Sequence, residues 1–148
     1  MTVALSGEQI AAQIKAQVPD SIVSAGGNVV EVKPEALLAA ATYLKTAPDL
    51  AFDYLTAITA VDYQEYIEVI YQLVSIEHNH GLLLKTRLYD RQAPVLSSVV
   101  GLWRGADFQE REIFDLFGIK FDGHPNLKHL VLWEGFPGHP LRKDYLQW

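Results

Sequence analysis

Glu110, Arg111, Glu112 and Asp115 crowd four ionisable side chains into six residues, and five histidines accompany them along the chain. A carboxylate beside a histidine can pass a proton to or from a substrate. Histidines that converge with an Asp can hold a metal. His78 and His80 stand two apart, the spacing of one strand face, but Asn79 and Gly81 write that segment as a turn. His124, His129 and His139 share a C-terminal stretch with Asp122 and Asp144, at no spacing that matches a zinc motif. The plainer role for these histidines is to hydrogen-bond backbone groups that irregular structure leaves unpaired. The carboxylates have a plain role too. Helical spacing puts Glu112 and Asp115 on neighbouring faces close to Arg111, which favours an ion-pair network over a tuned acid. Gly26-Gly27 carries neither a phosphate loop nor a dinucleotide fingerprint. A small metal- or acid/base-dependent hydrolase using the His-rich tail is the enzymatic reading these residues allow.

The segment that positions the charges is short and apolar on more than one side. Phe108, Ile113, Phe114, Leu116 and Phe117 give it more hydrophobic surface than a single buried face requires. Such a helix is either buried in its own domain or shared with a partner. With Arg111 one turn before Asp115, the opposite reading is a capped surface helix whose charges are solvated. Asp107, three residues before Glu110, has the spacing of an N-cap, and Gly118 that of a C-terminal stop. Beyond Gly118 the chain is rich in Pro and Gly yet holds Leu127, Leu130, Val131, Leu132, Trp133, Phe136, Leu141, Tyr145 and Trp148. A long irregular segment with that many large apolar side chains must bury them somewhere, and aromatics beside Arg favour docking on another protein. The organisation predicted is a domain over residues 1–118 and an extended partner-binding tail over 119–148.

Composition narrows the classes. The 148 residues suffice for one domain with one core, and 49% hydrophobic with 20% charged residues is a globular balance. A net charge of -6 argues against nucleic acid, whose phosphates need a basic face. There is no cysteine, which removes disulfides, thiolate nucleophiles and cysteine-ligated iron–sulfur clusters. The first residues lack a basic stretch followed by an apolar core, so no signal peptide is expected. No run approaches the ~20 apolar residues of a membrane span. A soluble, cytoplasmic chain is expected, reaching a membrane only through partners.

The elements follow from periodicity. Ser6 caps a helix to about Val18 through Ile10, Ala11, Ile14 and Val18. Val23 and the run 29–32 read as two strands about a Gly-Asn turn. Pro34 opens a second helix that runs to about Thr46. Residues 54–63, 66–76 and 82–88 read as three closely linked strands, hence an antiparallel meander. Residues 94–103 read as a short helix, and little regular structure is expected after Ile119. The fold class predicted is α+β, with a mostly antiparallel sheet, helices chiefly on one face, and the extended C-terminal tail.

The chain resembles a known family at this point. Glu110-Arg111-Glu112, Asp115, His124, Lys128, Leu130 and Val131, at these gaps, are similar to the signature of the 30 kDa subunit of respiratory complex I. This is the C subunit of bacterial NADH–quinone oxidoreductase, called J in the cyanobacterial and chloroplast enzyme. The ending Gly138-His139-Pro140-Leu141-Arg142-Lys143-Asp144-Tyr145 resembles that family's close. The likeness covers about residues 20–146 and is strongest over 103–145. It implies a non-catalytic structural subunit of the hydrophilic arm of a proton-translocating NADH–quinone oxidoreductase. The implied partners are the 49 kDa-type quinone-site subunit and the terminal-cluster subunit, with no direct membrane span. The complex would use iron–sulfur clusters and quinone, and this chain would bind no cofactor. The implied location is peripheral, on the cytoplasmic side of the cell membrane, or on the stromal or cytoplasmic thylakoid face for the J type. Glu110, Arg111, Glu112, Asp115, His124, Lys128, Trp133, Leu141, Arg142, Lys143, Asp144 and Tyr145 are the expected structural and partner-interface residues, with no catalytic, cofactor or metal residue among them.

Overall fold

The computed structural model describes residues 3–125, 127 and 138–142. Strand β1 (Val3–Ala4) leads into helix α1 (Gly7–Gln17), where Ser6 accepts from Gln9 N. α1 begins pressed against the sheet. Gly7 N–H donates to Gly27 O at 2.7 Å, and a Cβ at Gly7 would meet Val29 O at 2.4 Å. Only glycine allows that approach. The hairpin β2 (Ile22–Gly26) and β3 (Val29–Val32) turns at Gly27, φ +58. Pro34–Ala36 forms one 3-10 turn that feeds α2 (Leu37–Thr46). Then come β4 (Tyr54–Asp62), β5 (Ile67–Ser75) and β6 (His80–Leu88). The turn before β6 falls at Asn79, φ +54, so His80 and Gly81 are already strand.

The main sheet runs β2-β3-β6-β5-β4, with β1 also on β6. The meander and the hairpin are antiparallel, while β3 and β1 pair with β6 in parallel. The fold is therefore α+β with a mostly antiparallel sheet. Period-two alternation separates its faces. Val30, Val32, Ile67, Val69, Tyr71, Leu73, Leu82 and Leu84 turn inward to meet Ile14, Leu37, Leu44, Ile113 and Phe117 of the helices. The other face carries ion pairs, Glu68 with Lys85 at 3.0 Å and Glu31 with Arg87 at 3.6 Å.

Two expectations need correction. Residues 94–103 do not form a helix. Val95–Ser97 is strand β7, paired in parallel with β8 (Lys120–Asp122), and a turn follows. Val95, which is β-branched, and Leu96, buried and paired with Phe121, gain more from that ladder than from a helix turn. The second correction concerns Gly118, past which the packed structure continues. Ile119 and Phe121 are buried, and β8 is a strand of the small second sheet.

Candidate functional site

Helix α3 (Ala106–Phe117) carries the charged cluster. It packs against β4, where Gln109 Oε1 accepts from Ile58 N at 2.6 Å. Glu110 and Asp115 have no exposure, and Arg111 retains 8%. The solvated surface helix is thus excluded for three of the four charges. Glu112, one position on, is exposed. Successive helix residues diverge by about 100°, which is why neighbours in the triplet have opposite surroundings.

The Glu110 carboxylate turns to the chain after β7, accepting from Ser98 Oγ at 2.6 Å and Val99 N at 2.8 Å. Burial pushes its pKa up, while those two hydrogen bonds and His124 act in the opposite sense. The Arg111 guanidinium lies 5.5 Å from the Phe108 ring centroid, within cation–π range. Tyr71 Oη is buried on the core side, where burial and then the Glu110 charge push its pKa well above the ordinary value.

Asp107 is not the N-cap. Gly105 holds that position with no side-chain bond, and Asp107 lies inside the first turn. Its role is to meet His124. The His124 ring is fully buried, with Nε2 3.2 Å from Asp107 O and 3.1 Å from its carboxylate. The carboxylate does not take a well-aligned hydrogen bond from the ring, so the main-chain contact is the better oriented one. The other described histidines serve backbone groups as well. His78 Nε2 reaches Pro48 O at 2.8 Å, His80 Nε2 reaches Leu50 O at 2.7 Å, and His139 Nδ1 reaches Asp115 O at 3.0 Å.

Residues 138–142 return to the end of α3 and close it. The last four carbonyls of a helix have no partner within it. Here Gly118 N takes Phe114 O, His139 takes Asp115 O, Leu141 N takes Leu116 O, and Arg142 Nε takes Phe117 O. Arg142 also donates to Arg91 O at 2.7 Å, while Arg91 holds Asp62. A cation at this end suits the helix dipole. Gly118, φ +77, allows the His139 ring to approach its Cα so closely that a Cβ would lie 2.6 Å from it. The expectation that everything after 118 makes few contacts with the core fails for these residues. Leu141 itself remains 54% exposed. Lys128, Trp133, Lys143, Asp144 and Tyr145, with His129 and Phe136, lie outside the described residues.

Buried charges, histidines bonded to main-chain carbonyls and a capped helix end thus meet around α3. The model of the family described as "Respiratory-chain NADH dehydrogenase, 30 Kd subunit" matches residues 30–147. The chain belongs to that family. It is similar to the C subunit of NADH-quinone oxidoreductase from Roseiflexus sp. (strain RS-1), 38% identical, covering 95% of this chain and 84% of that protein. The corresponding C subunit of Moorella thermoacetica is 44% identical, covering 86% of each. Among solved structures, the trypsin-resistant fragment of Nqo5 superposes with a TM-score of 0.65 at 28% identity, over 81% of this chain and 98% of that one. A chain of the membrane-bound sulfane sulfur reductase, an archaeal respiratory membrane complex, gives a TM-score of 0.74 at 25% identity, over 93% and 84%. Sequence reasoning missed Ser98 and Gln109 as anchors of α3. The only signal for Ser98 was a small hydroxyl residue just before the Val99-Val100 pair.

Proposed function

We propose that this chain is a non-catalytic structural subunit of the hydrophilic arm of a proton-translocating NADH–quinone oxidoreductase, supporting the subunits that form the quinone site. The observation that carries the reading is the 38% and 44% identity to C subunits of NADH-quinone oxidoreductase over most of both chains. The absence of cysteine accords with it, since iron–sulfur clusters of that complex need thiolates from other subunits. Its partners are the 49 kDa-type quinone-site subunit and the terminal-cluster subunit. It lies peripherally, on the cytoplasmic face of the membrane. No helix among the described residues is long and apolar enough to cross a membrane. The partner-binding segment is the C-terminal stretch after β8, with Lys128, Trp133, Lys143, Asp144 and Tyr145, together with exposed Glu112 and Leu141. Glu110, Arg111, Asp115, His124 and Arg142 hold the platform from which it leaves. The hydrolase reading has no support, because the described histidines are committed to backbone carbonyls and the relatives are oxidoreductase subunits.

Arg111→Ala tests the division of labour. Removing a buried cation from its surroundings costs about 3–5 kcal/mol where it leaves an opposite charge unpaired. The amount of assembled complex should fall, and quinone reductase turnover per assembled complex should stay unchanged. Both are measured in the same membranes, with the melting point of the purified chain alongside. Normal assembly with lost turnover would place this helix in the chemistry and refute the structural role.

A further inference from the structure

Among the described residues, β4 is the last strand on its side of the main sheet. Its Ile58 N–H points away from β5, to the Gln109 side chain. The two-residue period of a strand turns the N–H and C=O of Ala60 the same way. Gln109 therefore stands in, at one position, for the carbonyl of a neighbouring strand. The edge carries few of the usual protections. Tyr54–Asp62 has no proline and no lysine, and its irregularity lies upstream, between Leu55 and Ala57. Its one charge, Asp62, is held by Arg91. Beside this edge runs a groove of about 210 Å³, walled by Ala60 on the strand, by Ile113 and Leu116 on α3, and by Leu141 of the returning segment. Glu112 is the charged residue of its lining.

We infer that an extended segment of a partner subunit adds to the outer edge of β4. Its main chain bonds Ala60, an apolar side chain fills the groove against Ile113 and Leu116, and a Lys or Arg pairs with Glu112. Each feature of the occupant answers a feature of the edge. Outward main-chain donors and acceptors are matched by extended backbone, the mode of strand addition. The apolar walls take one aliphatic or aromatic side chain. Exposed Glu112, in a chain of net charge -6, calls for a cation. A second copy of this chain would offer Glu112 no cation of its own lining, only the same acidic groove. The inference rests on the proposed role as a subunit of an oxidoreductase complex, with Glu112 and Leu141 facing a partner.

The test compares amide hydrogen exchange of the purified chain with that of the chain in its purified complex. Exchange at Ala60 should slow by about tenfold or more on assembly, the equivalent of one ordinary hydrogen bond. Ala60→Pro, which removes the N–H at a position where an edge tolerates proline, and Glu112→Arg should each lower the yield of assembled complex severalfold. Ala60→Ser, which keeps the N–H, should not. An Ala60 amide already slow in the isolated chain overturns the inference, because the chain then fills its own edge. Slowing that depends on concentration in the isolated chain overturns it in favour of a second copy. An Ala60 amide equally fast in both states overturns it while leaving the structural role intact. A wild-type chain that copurifies with no other oxidoreductase subunit refutes that role and the inference with it. The exchange experiment uses the unaltered chain, so a folding failure of Ala60→Pro does not blunt it.

Discussion

Glu110 is held out of water by the turn that carries Ser98 and Val99, and its two hydrogen bonds do not fully offset the loss of hydration. Its folded-state pKa lies above the ordinary 4.5. Between the unfolded and folded values, the folded protein binds more protons than the unfolded chain. Stability from this group therefore falls as pH rises through that interval and levels off above it. Glu110→Gln removes the titration. The stability of the variant relative to the natural chain should climb with pH from about 4.5 upward and then become constant. Urea midpoints measured at steps from about pH 4 to pH 7 check this, and a difference that stays flat refutes it. Part of this residue's environment was legible in the sequence. Two positions apart on a helix, Glu110 and Glu112 cannot share one face. The partner was not legible, because Ser98 is brought to Glu110 by the β7–β8 ladder, which joins Val95 to Lys120 and Ser97 to Asp122 across the whole of α3. Arg111 shows the same limit from the other side. Of the two glutamates adjacent to it, Glu110 is engaged by Ser98 and Val99 and Glu112 is exposed.

Among elements, those fixed by local pattern were legible. α1, the β2–β3 hairpin, α2 and the β4–β5–β6 meander follow from caps, turns and periodicity that need only a few neighbouring residues. β7 and β8 are three residues each, too short for a period to appear, and their pairing is nonlocal. Local pattern alone therefore points to a helix where β7 lies and to a domain end at Gly118. The true extent of the packed unit leads to a prediction about truncation. Cutting after Gly118 deletes buried Ile119 and Phe121 and unpairs β7. Losses of that size run to about 3–5 kcal/mol per large side chain, against a total stability of ~5–15 kcal/mol. That truncated chain should lose cooperative unfolding. Cutting after Pro125 keeps β8 and removes the residues that cap the end of α3, so it should fold with a lowered melting point. Thermal melts of the two truncations, followed by near-ultraviolet circular dichroism, distinguish them. Equal melting behaviour would show that β8 contributes nothing to the core.

At the scale of the molecule, the charged helix serves two sides, and exposure sorts its residues between them. Glu110, Arg111 and Asp115 belong to the interior, while Phe108 at 61%, Leu141 at 54% and Glu112 stand in solvent. Two large apolar side chains displayed on the outside of a small acidic domain cost little when free and contribute when a partner covers them. Residues of the first kind should affect the domain and, through it, the complex. Those of the second kind should affect the complex alone. Phe108→Ala combined with Leu141→Ala should leave the melting point of the purified chain nearly unchanged, since surface substitutions stay within about 0.5 kcal/mol. The Leu141 main-chain bond to Leu116 survives the change, and so does the cap on α3. Loss of the Phe108 ring beside Arg111 accounts for about 0.5–1 kcal/mol at most at an exposed cation–π contact. In membranes, the same double substitution should reduce the assembled complex, and the chain should accumulate unassembled. Gel separation of intact complexes, with the free chain quantified in the soluble fraction, reads both pools at once. Full assembly with these side chains removed would move the partner surface away from the outer side of α3.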